Sequence, residues 1–286
     1  EYKDKVPVNT FATDVGGSAT NTAVGVSRLG LKVGLSAVHG DDAMGMFVRK
    51  KLRDEHVDDR RIEEEKGGQT NTSVILVHES ERTILPYYVP RTYKLSELPK
   101  ARWMYLTTGG KGFEATYASI LHQADANKSN LVVNAGPYQL RHGRAKVLSL
   151  IRESHLFISN KEEMQMAVGR RIEDDADLLR EVRELTPGLI LMTDGERGAF
   201  SFDGEKIMHI DPFPHKTVEK TGAGDAFTAG FLTAMISGGS VSDALRAGSI
   251  NAASVIQHVG AQTGLLTKKE LSLTLEKHKT FKPHQL

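Results

Sequence analysis

The chain has 286 residues, 37 Lys and Arg against 36 Asp and Glu for a formal net charge of +1, and no cysteine. The charge balance gives no electrostatic case for nucleic acid or an anionic membrane surface. The missing thiols exclude disulfides, cysteine nucleophiles and cysteine-ligated metals, and they agree with a cytoplasmic location. No apolar run approaches the roughly 20 residues of a membrane span and no secretory signal is visible, so the length suits one large α/β domain.

Residues 16–30, GGSATNTAVGVSRLG, read as a glycine turn feeding a helix with Ala23, Val26 and Leu29 along one side. A short apolar strand, Lys32–Val38, precedes an amphipathic helix from Asp42 to Glu55. The charged stretch Arg49–Lys66 reads as a solvated helix face and loop. Thr72–His78 and Arg82–Val89 form a β-hairpin around Glu79-Ser80-Glu81. From residue 102 the rhythm alternates: strands at Trp103–Thr107, Leu131–Asn134, His155–Ile158 and Leu189–Thr193, helices at 113–126, 138–152, 160–168 and 174–185. Such alternation predicts parallel βαβ units whose ligands sit at the carboxyl ends of the strands. A terminal hairpin, Phe200–Phe202 with Lys206–Ile210, and helices near 223–237, 240–257 and 267–277 complete the chain.

The run Thr221-Gly222-Ala223-Gly224-Asp225, entering an apolar helix, carries the most chemistry. A helix N-terminus offers unpaired N–H groups and partial positive charge to a phosphate, and glycines let that backbone come close. Asp225 is placed to take a proton from an attacking hydroxyl; the structural alternative is an acid that only caps its helix. No Lys-Ser or Lys-Thr pair follows, so this is not a Walker A loop.

Three further features accompany it. Gly16-Gly17-Ser18-Ala19-Thr20-Asn21 is a second glycine turn, in which Gly17, Ser18 and Asn21 either face a polar substrate or Ser18 caps the helix. Asn160 and Glu163, three apart after a strand, suit Mg²⁺ held through its waters, or a capping box, or both. Thr193-Asp194-Gly195-Glu196-Arg197-Gly198 reads as a loop lining a nucleotide or as a plain hairpin turn. The eleven histidines show no metal spacing, and no strand-linked GxGxxG supports a dinucleotide oxidoreductase.

Together these motifs resemble the ribokinase-like carbohydrate kinases of the phosphofructokinase-B type: GGSATNTAVGVSRLG, KTGAGDAFTAGF and Asn160-x-x-Glu163 in that family's order, with similarity from about residue 14 to 266. The resemblance implies a three-layer α/β/α fold with a mostly parallel central sheet and a small β-sheet lid. The main domain would span residues 14–286, with the lid drawn from residues 1–13 and 68–92. It implies Asp225 as general base and the N–H groups of Gly222, Ala223 and Gly224 as anion hole. Gly17, Ser18, Asn21, Gly109, Gly110, Tyr88 and Arg91 would face the acceptor. Asn160, Thr193, Gly195, Gly198 and Asn251 would surround ATP, and Glu163 with Asn160 would support Mg²⁺. The acceptor implied is a small sugar or sugar acid, the alternatives being a nucleoside or a non-catalytic binding protein of the same fold. A homodimer through lid edges is expected.

Two departures stand out. Such kinases open with a core strand carrying a Gly and an acceptor-binding Asp; Asp4 and Asp14 stand in the wrong context to replace that Asp, and the strand is expected to be absent. Glu219-Lys220 stands where relatives carry Asp-Thr, the Asp serving a monovalent cation. Here the Lys220 ammonium either takes the cation's place or points to solvent.

Overall fold

The computed structural model describes residues 7–78, 81–91, 93 and 97–286. The first glycine turn opens helix α1 (Ser18–Arg28), whose inner face buries Ala23 and Val26. Strand β1 (Gly34–Gly40), helix α2 (Ala43–Asp54) and strand β2 (Asp58–Glu65) form a parallel βαβ unit. The Asp42 carboxylate starts α2 by accepting from the Gly45 N–H, and it also accepts from the Thr70 N–H and hydroxyl. These bonds hold its carboxyl down to about 2.

Strand β2 corrects the expectation of a solvated face and loop for Arg49–Lys66. Its sequence DDRRIEEE has one apolar residue, Ile62, which is buried opposite Ala37 of β1. A strand with a single inward side chain carries no alternation for periodicity to detect.

The hairpin of β3 (Thr72–His78) and β4 (Glu81–Tyr87) lies in the segment assigned to the lid. Of its expected turn, Glu79 and Ser80 lie outside the described residues, and Glu81 belongs to the strand. Residues 7–13 carry no strand, and 1–6 lie outside the described residues.

The remaining elements alternate nearly as expected: β5 (Trp103–Leu106), α3 (Phe113–Asn127), β6 (Asn130–Val133), α4 (Pro137–Glu153), β7 (Leu156–Asn160), α5 (Lys161–Val168), α6 (Asp175–Arg183) and β8 (Leu189–Thr193). Then come β9 (Ala199–Phe202), β10 (Ile207–Ile210), α7 (Ala223–Ile236), α8 (Val241–Val255), α9 (Lys268–Lys277) and β11 (His284–Gln285). Seven strands form one mixed sheet in the order β11-β10-β9-β8-β7-β6-β5, parallel from β5 to β8 and antiparallel beyond. The β9–β10 hairpin is therefore not terminal, because β11 adds to its outer edge.

Strand residues point alternately to the two faces. Leu131 and Val133 pack with Phe113, Leu150 and Met164 on one face, while Val132 packs with Phe231 and Leu245 on the other. This alternation makes three layers, with α1 lying against α7. Gly25 permits that contact, since a Cβ there would lie 2.6 Å from the Ala229 Cβ. Among the described residues β1 does not pair with β5, and a cavity of about 2950 Å³ runs between them.

Candidate active site

The first turn of α7 is not closed by a side chain of its own. Its N-cap, Gly222, has φ 82°, and a Cβ there would lie 2.7 Å from Ala261. Both the left-handed backbone and the close approach require glycine. No side chain caps the helix. Among the described residues the N–H groups of Gly222 and Gly224 have no backbone partner, and that of Ala223 reaches the Lys220 carbonyl at 3.4 Å. Open space lies where a Gly224 side chain would stand. The helix dipole adds partial positive charge at this opening.

Asp225 sits in this turn without capping it. Its Oδ2 accepts from Asn21 Nδ2 at 2.8 Å, and the Ser18 hydroxyl also bonds the carboxylate. The Gln262 side chain in turn donates to Asn21 Oδ1 at 3.0 Å. Ser18 therefore does not cap α1; Gly17, with φ 97°, is the N-cap. Ser18 and Asn21 instead clasp the candidate base. Burial pushes the Asp225 carboxyl above its ordinary value, against the opposing bonds from Asn21 and Ser18. A carboxylate raised in this way is a stronger base than an exposed one.

Two other motifs meet at neighbouring strand ends, because Asn160 of β7 pairs with Thr193 of β8. Asn160 and Glu163 form a complete capping box: the Glu163 N–H donates to Asn160 Oδ1 at 2.9 Å, and the Asn160 N–H donates to Glu163 Oε2 at 3.1 Å. The Ser159 hydroxyl also donates to Oε2, and burial pushes the Glu163 carboxyl up. Oε1 has no protein partner among the described residues. A buried carboxylate with one uncommitted oxygen is suited to a cation held through water, which would restore its charged form. In the loop after β8, Gly195 faces open space, whereas a Cβ on Gly198 would lie 2.0 Å from the Ile210 carbonyl.

Several other expected site residues make contacts within the protein. Asn251 is fully buried; its Nδ2 donates to the Ala226 carbonyl and its Oδ1 accepts from the Leu266 N–H, so it braces α7. The Arg91 guanidinium, also buried, donates to the Val38 and Gln69 carbonyls and pairs with Glu65, tying the hairpin's base to β1 and β2. Tyr88 is exposed. The Gly109 carbonyl accepts from the Gln139 side chain, and the Tyr93 ring covers Gly110. Lys220 extends toward Glu196 at 3.4 Å, while Glu219 is buried and accepts from the Gly260 N–H at 2.8 Å.

Sequence reasoning missed two contributors. Gln262 lies in Gly260-Ala261-Gln262, within the span of similarity, yet only its contact with Asn21 shows its use. Tyr105 lies at the end of β5 near Asp225; burial first, then that carboxylate's charge, pushes its hydroxyl's pKa upward. Among the described residues no cluster of three or more His, Cys, Asp or Glu could hold a metal by itself.

The pfkB family carbohydrate kinase profile matches residues 1–268. The chain is 24% identical over 281 residues to the ATP-dependent 6-phosphofructokinase of Thermoanaerobacterium thermosaccharolyticum, covering 91% of this chain and 84% of that one. It is 26% identical over 259 residues to the nucleoside kinase of Methanothermobacter thermautotrophicus, covering 87% and 81%. Its fold matches Arabidopsis thaliana ribokinase complexed with ribose and ATP at a TM-score of 0.81 and 19% identity, covering 96% and 92%. The three-layer architecture is thus ribokinase-like, and no described helix is long and apolar enough to cross a membrane. With a glycine-capped helix N-terminus and a clasped carboxylate at its centre, the chain is a phosphotransferase and belongs to the pfkB family of carbohydrate kinases.

Proposed function

We propose that this kinase transfers the γ-phosphoryl group of ATP to a hydroxyl of a small sugar or sugar acid, with Asp225 as general base. The observation that carries the reading is the pairing of a raised, clasped carboxylate with a helix N-terminus whose Gly222 and Gly224 N–H groups have no backbone partner among the described residues. Phosphoryl transfer leaves the protein little covalent work, so positioning and charge stabilisation dominate. Asn21 and Ser18 orient Asp225, which accepts the hydroxyl proton as the new bond forms. The N–H groups of Gly222, Ala223 and Gly224 receive the charge on the transferred group. Mg²⁺, when bound near Glu163 and Asn160, supplies neutralisation of phosphate charge. A monovalent cation beside the buried Glu219 belongs to the same reading, since Lys220 turns away to Glu196. The exposed apolar hairpin is the face through which two copies would pair. Its Tyr88 lies at the acceptor's approach.

A nucleoside is the second reading, favoured by the similarity to a nucleoside kinase. ADP release with Mg²⁺ across sugars, sugar acids, sugar phosphates and nucleosides decides between them, with Asp225→Asn alongside. Turnover with a sugar or sugar acid, lost in the variant, is expected. Turnover with nucleosides alone selects the second reading, and turnover unchanged in Asp225→Asn removes Asp225 as the base.

A further inference from the structure

We infer that Gln262 is a positioning residue for the candidate base: by donating to Asn21 it decides which end of the Asn21 amide faces Asp225. The inference rests on Asp225 as the base proposed above. The two ends of an amide have nearly the same shape and opposite hydrogen-bonding roles, so its partners choose its orientation. An ionised carboxylate can only accept, and Asn21 Nδ2 donates to Asp225 Oδ2 at 2.8 Å. Asn21 Oδ1 is thereby turned away, and Gln262 Nε2 donates to it at 3.0 Å. Asn21 is 4% exposed and Gln262 is fully buried, so bulk water replaces neither partner. Turning Asn21 over would set its oxygen against the carboxylate and its nitrogen against the Gln262 nitrogen.

The Gln262 side chain makes no other hydrogen bond among the described residues, and its Oε1 is buried without a partner. A position that needed only volume would be filled at lower cost by an apolar side chain, because an unpaired buried amide group destabilises the fold. The backbone at Gln262 is anchored from the other side. Arg28 Nη1 donates to the Gln262 carbonyl at 2.9 Å and to the Leu265 carbonyl at 3.0 Å. Glu55 holds the same guanidinium through Nε at 2.8 Å and Nη2 at 2.6 Å. Asn21 and Arg28 lie on one face of α1, two turns apart, so this helix grips the segment at two points and the Gln262 side chain starts from a fixed place.

The surroundings of Asp225 make the Asn21 donor count. Burial pushes its carboxyl up, and the first bond opposing burial is the one from Asn21, followed by that from Ser18. Strand β5 brings the Tyr105 hydroxyl, itself pushed up by burial and then by the charge of Asp225. Ahead of α7, Glu219 accepts from the Gly260 N–H and Lys220 reaches Glu196; from α8, the Asn251 amide bonds the Ala226 carbonyl. Arg28 and Glu55 stand behind Gln262. Without the Gln262 donor, Asn21 is free to turn over, and the charged form of Asp225 loses support. An ionised acid in place of Gln262 would accept from Asn21 Nδ2 and turn Oδ1 toward Asp225, reversing the chain.

The test is a ¹³C NMR titration of the aspartate carboxyls in the native protein, Gln262→Leu and Gln262→Glu, with the Asp225 signal assigned by its absence from Asp225→Asn. We expect the Asp225 midpoint to rise by about one pH unit in Gln262→Leu, roughly a tenfold gain in proton affinity, and by more in Gln262→Glu. The acid limb of kcat/KM should move with it, so that Gln262→Leu loses about tenfold at the acid end and little on the plateau. Gln262→Glu changes the volume least and carries the test if the leucine form does not fold. A role in packing alone would lower Tm and leave the midpoint in place. An unchanged or lowered midpoint in either folded variant overturns the inference. The titration needs no substrate, so its outcome stands apart from whether Asp225→Asn keeps turnover.

Discussion

Helices α5 and α7 both carry an acid at the third position of the first turn, and the two acids are used in opposite ways. Glu163 folds back on the N-cap of its own helix, while Asn160 bonds the Glu163 N–H in return. Asp225 leaves its own turn open and reaches across to Asn21 on α1. The N-cap residue makes the difference. Asn160 has a side-chain oxygen that satisfies a helix N–H; Gly222, left-handed and without a side chain, has none. One helix start is thereby finished by its own side chains and the other is left without a side-chain cap. Whether the acid three residues on closes its own turn follows from the N-cap: Asn160 completes a capping box with Glu163, and Gly222 offers Asp225 no such partner.

The hardest test of this contrast is Asp225→Asn. Loss of general-base help is expected to lower kcat by ~100-fold or more. Stability should move the other way. Burial raises the Asp225 carboxyl above 3.8, so the stability linked to its protonated form is fully present below that value. It is lost as pH rises through the raised folded value, and at neutral pH the charged form costs the fold. Asn keeps an oxygen to accept from Asn21 and carries no charge, so Tm at pH 7 should rise while kcat falls, a known trade at active sites. Thermal unfolding of both proteins checks this; a lower Tm in the variant would make Asp225 a structural anchor. For the native enzyme, the acid limb of kcat/KM should lie above the ordinary aspartate range.

A smaller effect is expected for Gly222→Ala. A non-glycine residue in the left-handed region costs about 1–2 kcal/mol, and the new Cβ meets Ala261 at 2.7 Å. Tm should fall by roughly 2–8 °C. The turn should shift enough to lower kcat by about 10-fold, because misplacing a preorganised donor weakens transition-state stabilisation. An unchanged kcat would mean that the turn's N–H groups do not act in the transition state. At α5 the contrast predicts a different pattern. Glu163→Ala removes half of the capping box and should cost about 0.5–2 kcal/mol, whereas Glu163→Gln keeps an acceptor for Ser159 and Asn160. Both variants should need more Mg²⁺ for half-maximal rate, with only the alanine form losing Tm. Identical Mg²⁺ titrations would leave Glu163 a cap and nothing more.

Much of this architecture was legible because apolar periodicity survives in short windows. The four parallel strands from Trp103 to Thr193 and the helices between them lie within a few residues of expectation. Strand β2 was not legible, since Ile62 alone among DDRRIEEE turns inward and its pairing with β1 decides its conformation. At the site, the residue types announced themselves and their partners did not. Nothing local links Ser18 and Asn21 to a carboxylate 204 residues away from Asn21. The Arg91 guanidinium is bonded to the Val38 and Gln69 carbonyls and the Asn251 amide to the Ala226 carbonyl, partners that no local pattern announces. Long polar side chains are poor sequence evidence of a ligand because backbone groups compete for them, and that competition is settled only in three dimensions.

The smallest effect concerns Lys220, which flanks the open turn of α7. Its ammonium lies 3.4 Å from Glu196, with side-chain exposures of 50% and 91% for the pair. An exposed pair of this kind contributes at most about 1 kcal/mol, so Lys220→Ala should leave stability nearly unchanged. Its bearing on catalysis is sharper. Were this ammonium standing in for a monovalent cation at Glu219, removing it would create a K⁺ requirement absent from the native enzyme. Lys220 instead turns toward Glu196, and Glu219 is held by the Gly260 N–H. Native and variant enzymes should therefore respond to K⁺ alike when rates are compared in K⁺ and in choline. A K⁺ requirement appearing only in Lys220→Ala would mean that the side chain swings inward during turnover. In that case α7, like α5, would complete part of its first turn with the protein's own charge, and the contrast between the two helix starts would narrow.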